Sequence, residues 1–175
     1  MLYQNDFYYL GLIVLMPLIG AIINGVFGAK LPKKLVGFIA CGSILTSFFF
    51  TLVSIMALVA NGQGEGAKKV YGHLSYTAYQ WIYAGDFGVD VAFLLDPLTA
   101  LLLLLITGVG FLIHIYSAGY MSHEDKRGLS RFYTYLNLFV FSMLVLVLGN
   151  NFALMFVGWE GVGLGSYLLI GFWDD

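Results

Sequence analysis

Charge is what this 175-residue chain has least of: 8 Lys and Arg and 10 Asp and Glu make up 10% of it. Soluble domains carry about 25% charged residues, so there are too few water-facing groups to cover a globular surface. A soluble enzyme is excluded. A net charge of -2 and the lack of a basic patch exclude a binder of nucleic-acid backbones. Cysteine occurs once, at Cys41, which excludes an internal disulfide framework and a cysteine-only metal cage. No His, Cys or carboxylate pair has metal-ligand spacing. There is no GxGxxG after a strand, no Walker A motif and no Gly-x-Ser-x-Gly elbow. The chain is therefore expected to bind no NADH, flavin, haem or iron–sulfur cluster itself. What it has in quantity is apolar side chains, 60% of the total. Its solvent is lipid.

A crossing helix needs about 20 mostly apolar residues at a rise of about 1.5 Å each. Five segments qualify: Tyr8 to Gly28, Leu35 to Ala60, Pro97 to Gly119, Phe132 to Gly149 and Phe152 to Trp173. Pro17 is placed to kink the first, the second is long enough to tilt, and Asn150-Asn151 forms a polar turn between the last two. The first segment lacks a basic flank and a small-residue cleavage site, so it reads as a span and not as a secretory leader. The fold class expected is an all-α polytopic membrane protein with a small hairpin between helices two and three, as one membrane domain.

Lys30, Lys33 and Lys34 fall between spans one and two, and Lys126, Arg127 and Arg131 between spans three and four. These two loops share one side of the membrane. The other side holds Lys68 and Lys69 in a long loop. The positive-inside rule puts the basic loops in the cytoplasm and the amino terminus on the outer face. Asp174 and Asp175 then emerge on the cytoplasmic side.

Within the loop at 61–96, Tyr79, Trp81 and Tyr83 alternate with other residues, Gly85-Asp86 follows, and Val89, Val91, Phe93 and Leu95 alternate again. Period-two apolar runs around a Gly/Asp turn predict a β-hairpin. Its aromatic side chains suit the headgroup level or a neighbouring subunit. Asp96-Pro97 then predicts a helix start, a carboxylate cap followed by proline in the first turn.

Nine of the ten acidic residues lie in loops or tails; the tenth is Glu160. It sits roughly 12 Å into span five at helical rise, near the bilayer centre. No Lys or Arg lies in any of the five segments. An acidic residue there costs about 2.5–3.5 kcal/mol on insertion scales. Such a group is kept where it faces a protein interior or a water-filled path. Because leaving water disfavours the charged form, a carboxyl there suits proton handling. The alternative is a protonated carboxyl that joins two helices by hydrogen bonds. Gly158, Gly161 and Gly165 form a bare stripe that admits another backbone. Tyr167 shares nearly the same helix face as Glu160, with Gly163 between them, so the two suit a short relay or plain packing equally. His114, near the cytoplasmic end of span three, is able to extend a proton path. The reading favoured for it is an interfacial residue bonded to Tyr116 or to a backbone carbonyl. His73 and His123 read as solvated loop residues.

The run from Arg131 to Trp173, RFYTYLNLFVFSMLVLVLGNNFALMFVGWEGVGLGSYLLIGFW, closely resembles the antiporter-like subunit L family of proton-pumping NADH–quinone oxidoreductase, respiratory complex I. The stretch LLDPLTALLLLLITGVGFLIHIYSAGYM, Leu94 to Met121, resembles that family's third helix. The opening MPLIGA helix and the hairpin match in order and position, so the resemblance covers the whole chain. It implies membership of a channel of well over a dozen helices containing two inverted five-helix repeats, of which this chain resembles the first third. It implies that Glu160 matches a fifth-helix glutamate paired, in the family, with a lysine on a broken seventh helix. It also implies that NADH, flavin, iron–sulfur clusters and quinone are bound by other subunits, and that the partners are other membrane-arm subunits and the lipid bilayer. The partner lysine has no counterpart in the sequence given, so the chain reads as an amino-terminal fragment that does not pump alone. The setting expected is the bacterial inner membrane, with the mitochondrial inner membrane as the alternative. A multisubunit sodium/proton antiporter or a membrane-bound hydrogenase arm is the competing assignment. A five-span structural anchor is a third.

Overall fold

The computed structural model describes residues 3–4, 7–62, 72–85 and 87–173. Among them five helices are long and apolar enough to cross a membrane. We label them α1 (Tyr9–Phe27), α2 (Lys33–Ala60), α3 (Pro97–Tyr120), α4 (Lys126–Leu148) and α5 (Phe152–Ile170). The all-α membrane architecture expected from the sequence is what the chain adopts. Short 3₁₀ turns, Gly28–Lys30 and Gly171–Trp173, finish α1 and α5.

Two boundaries differ from expectation. Helix α4 starts at Lys126 and not at Phe132, so Lys126, Arg127 and Arg131 lie on a helix and not in a loop. The cause is local: Asp125 caps the helix by accepting the Gly128 N–H, a signal that a hydropathy reading passes over because the first turns are polar. Helix α2 starts two residues early, at Lys33, and runs for 28 residues, about 42 Å at helical rise. That exceeds a hydrocarbon core of about 30 Å and calls for tilt. Pro17 lies inside α1, which continues through it.

Helix α3 contains a feature the sequence did not announce. Leu105–Val109 forms a π-helical turn between two α-helical pieces, Pro97–Leu104 and Gly110–Tyr120. Thr107, fully buried, turns its hydroxyl back to the Leu103 carbonyl at 2.6 Å. Such turns often mark functional positions.

The hairpin pairs β2 (His73–Ala84) antiparallel with β3 (Phe87–Leu95), and a short β1 (Tyr3–Gln4) adds in parallel along β2. Gly85 takes φ +63° at the turn, a conformation open to glycine at little steric cost. Register shifts near Thr77 and Ile82 bend the ribbon. Leu74 and Leu95 are paired across it and buried in the main core with Leu10, Ile13, Leu144 and Leu148. The hairpin is bolted to one end of the bundle: Phe7 N–H donates to the Ser75 carbonyl, Asn150 N–H to Ala92, and the Asn151 amide to Asp90. Tyr79, Trp81 and Tyr83 remain exposed on it.

The opposite end gathers the cations. Lys33 Nζ donates to the Ser122 carbonyl at 3.3 Å, which brings the two basic connections together. Arg131 lies 5.0 Å from the Phe172 ring centroid, and Trp173 Nε1 donates to Glu124 at 2.9 Å. Those two contacts tie the end of α5 to the same side. Lys68, Lys69, Asp174 and Asp175 lie outside the described residues.

Candidate functional site

Helix α5 is set by Asn151, whose side chain accepts the Leu154 N–H at 2.9 Å as an N-cap. From there the stripe of small residues faces α4. A Cβ built on Gly158 would meet the backbone N and Cα of Leu146, one on Gly161 the Ser142 hydroxyl, and one on Gly165 the Phe139 side chain. Helix backbones approach this closely in lipid only where side chains are missing.

Glu160 lies on the other side of the helix and is exposed, as are Trp159, Gly163, Leu164 and Tyr167. It has no hydrogen-bond or ionic partner among the described residues. Tyr167 stands about 10 Å further along the axis, and nothing lies within 4 Å of a Cβ built on Gly163. Carboxyl and hydroxyl therefore share a face without touching, and a proton passing between them would need water in that gap. An apolar groove of about 630 Å³ between α1, the hairpin, α4 and α5 contains neither residue. Asp96 serves as the cap foreseen for it: Oδ1 accepts the Thr99 N–H at 2.7 Å, with Pro97 in the first turn.

His114 departs from its favoured reading. It is fully buried, not interfacial, and its partners are the Gly110 carbonyl at Nδ1 and the Asn137 side chain at Nε2, each at 2.7 Å. Tyr116 points away, 71% exposed, with its ring stacked on Tyr120. The backbone-carbonyl half of that reading holds and the Tyr116 half does not. The reason is helical phase: a residue two places on lies about 200° round the helix. The Asn137 amide continues to the Ser43 hydroxyl at 2.9 Å, and Ser43 donates to the Ala40 carbonyl at 2.8 Å. Tyr133 donates to the His114 carbonyl at 3.2 Å. A polar chain thus crosses α3, α4 and α2 inside the bundle.

Sequence reasoning passed over Asn137, Ser43 and Tyr133. The available signal was an amide inside an apolar span, where an unpaired polar group costs several kcal/mol. Nothing in the sequence separation of 23 residues between His114 and Asn137 says that they meet. Among the described residues no cluster of His, Cys, Asp and Glu is arranged to hold a metal ion.

Comparison with known proteins agrees with these motifs. A family described as NADH-Ubiquinone oxidoreductase (complex I), chain 5 N-terminus, matches residues 81–133. The chain is 40% identical over 172 residues to NADH-quinone oxidoreductase subunit L of Neisseria meningitidis serogroup B, covering 97% of this chain and 24% of that protein. It is 43% identical over 166 residues to the subunit L of Mycobacterium tuberculosis, covering 95% of this chain and 25% of the relative. It is 39% identical over 161 residues to NADH-ubiquinone oxidoreductase chain 5 of Hypocrea jecorina, covering 92% and 22%. The chain thus spans about a quarter of the length of the curated relatives it matches.

Proposed function

We infer that the chain belongs, over the length it spans, to the subunit L and chain 5 family of NADH–quinone oxidoreductase, and on that premise that it forms the amino-terminal part of a proton-translocating membrane subunit. Quinone reduction happens in other subunits, which hold NADH, flavin, iron–sulfur clusters and quinone; this chain supplies proton-binding groups. The observation that carries the reading is Glu160, an acid midway along a lipid-spanning helix, on the face that α4 leaves open.

The chemistry is a matter of charge balance. A cation brought up to a carboxyl and then withdrawn changes the balance between the charged and neutral forms of such a group in a low-dielectric medium. Redox events elsewhere that move such a cation would therefore drive protons through the site. The cation is the family's broken-helix lysine. Tyr167 extends the path along the same face through water, while Gly158, Gly161 and Gly165 hold α5 rigid against α4. The membrane is the bacterial inner membrane, with the basic end in the cytoplasm and the amino terminus outside.

The test is Glu160→Gln in the complete enzyme, with pumped protons and quinone-reductase turnover measured together. Pumping is expected to fall about tenfold or more, equivalent to about 1.4 kcal/mol at the rate-limiting step. Normal pumping and normal turnover would refute the assignment. Sodium-dependent growth rescue with no NADH oxidation would favour the antiporter reading instead.

A further inference from the structure

His114 is held by hydrogen bonds that count out in two ways. The Gly110 carbonyl only accepts, so Nδ1 carries a hydrogen whatever the state of the ring. At Nε2 the partner is the Asn137 side chain, 2.7 Å away. An amide presents an oxygen at one end and an N–H at the other, in orientations of the same shape.

With the amide oxygen toward the ring, Nε2 must also carry a hydrogen. His114 is then an imidazolium, the Asn137 N–H donates to Ser43 Oγ, and Ser43 donates to the Ala40 carbonyl. With the amide turned through 180°, its N–H donates to a bare Nε2. Ser43 then swings its hydrogen from Ala40 to the amide oxygen, and the ring is neutral. The links from Gly110 to His114, from His114 to Asn137 and from Asn137 to Ser43 each have one donor and one acceptor in both states, the bond from Ser43 to Ala40 is made only in the charged one, and the states differ by one proton, bound at Nε2.

The geometry points to His114 as a second proton-binding site of this chain, coupled to the turning of the Asn137 amide and the Ser43 hydroxyl. This inference rests on the proton-translocating reading given above and places a further carrier within it, inside the bundle and apart from the open face of α5.

The setting favours a bistable site over a fixed one. Among the described residues no Asp, Glu, Lys or Arg is fully buried, so no permanent countercharge locks the ring in either form. The titratable groups packed nearby are Tyr133 on α4, whose ring lies 6.2 Å from the imidazole centroid, and Cys41 on α2, which shares a groove with Tyr133. A buried cation is costly without compensation. Here it is met by two acceptors at charge-assisted distances, the Gly110 carbonyl and the Asn137 oxygen.

From the basic end a groove of about 510 Å³ runs from Lys33 and Lys34 past Cys41 to Tyr133, whose ring separates it from the imidazole of His114 at a centroid distance of 6.2 Å. His114 also forms part of the wall of a groove of about 320 Å³ between α3 and α4, beside the π-helical turn.

The experiment uses the complete enzyme in its membrane with ring-15N-labelled histidine, His114 being assigned by the signal lost in His114→Gln. Between about pH 5 and 9, the window of histidine titration, the signal is expected to pass from the neutral Nδ1–H tautomer to the imidazolium. A single unchanging form across that range would overturn the proposal. Asn137→Asp places a carboxylate against the ring and is expected to hold the imidazolium to higher pH and to stop pumping with the complex assembled. Ser43→Ala removes one link with little change in volume and is expected to alter the pH profile of pumping. A wild-type profile in both variants would also overturn the proposal. Glu160→Gln separates the two readings. If it abolishes pumping while His114→Gln pumps with the normal profile, the relay falls and the role of Glu160 stands. If it leaves pumping intact, the proposed function falls, and the nitrogen signal still decides whether His114 binds the proton.

Discussion

Gly158, Gly161 and Gly165 turn one face of α5 onto α4, and a Cβ on the first would meet the α4 backbone. Glu160, Gly163 and Tyr167 occupy the opposite face of the same helix and are exposed. One face is matched atom by atom to a neighbour within this chain. The other holds a group that lipid alone does not tolerate. The difference teaches that the rotation of α5 about its axis is set by its glycine face, and that this rotation leaves Glu160 on the side α4 does not cover. His114 gives the converse case: it too is ionisable and inside a span, yet this chain satisfies both of its ring nitrogens.

The widest gap between the two faces of α5 should appear with glycine replacements. Gly158→Leu forces α4 and α5 apart, because the obstacle is backbone at Leu146 and not a movable side chain. A loss of about 3 kcal/mol or more is expected, at the upper end for overpacking, read as a lower thermal midpoint and reduced assembly in membranes. Wild-type stability would mean that the seam is not packed as described.

A smaller effect sharpens the comparison at the helix start. Asn151→Ala removes both the cap on Leu154 and the bond to Asp90 that joins α5 to the hairpin. About 1–2 kcal/mol should be lost, with faster hydrogen exchange confined to the first turn of α5. The smallest change belongs to the open face. Gly163→Ala meets nothing within 4 Å, so stability should stay within about 0.5 kcal/mol of wild type or rise slightly through better helix propensity. Destabilisation as large as that of Gly158→Leu would erase the distinction between the faces.

Much of the architecture was readable in advance. The five spans, the hairpin turn at Gly85 and the Asp96 cap all follow from short-range patterns: runs of apolar residues, alternation around a turn residue, and a carboxylate before proline. The start of α4 was misread because Asp125 signals a cap through hydrogen bonding while Lys126, Arg127 and Arg131 look like loop to a hydropathy scale. The π-helical turn at Leu105–Val109 was not legible either. Within it Thr107 is buried, and Phe48 of α2 lies beside Gly108. For the candidate groups, Glu160 stands out as an acid among apolar residues, whereas the place of His114 is not legible because its partner Asn137, and Ser43 beyond it, sit on other helices.

Composition and periodicity by themselves determined that this chain lives in lipid, where it crosses, and which lone acid it carries there, since insertion energies add up residue by residue along a single helix. Which faces meet was decided only by the tertiary structure. Contacts between helices depend on crossing positions and on the rotation of each helix about its axis, and these are settled by steric fit and hydrogen bonding among distant segments. So it was the folded bundle that joined His114 to Asn137 and Ser43, and turned Glu160 away from all three.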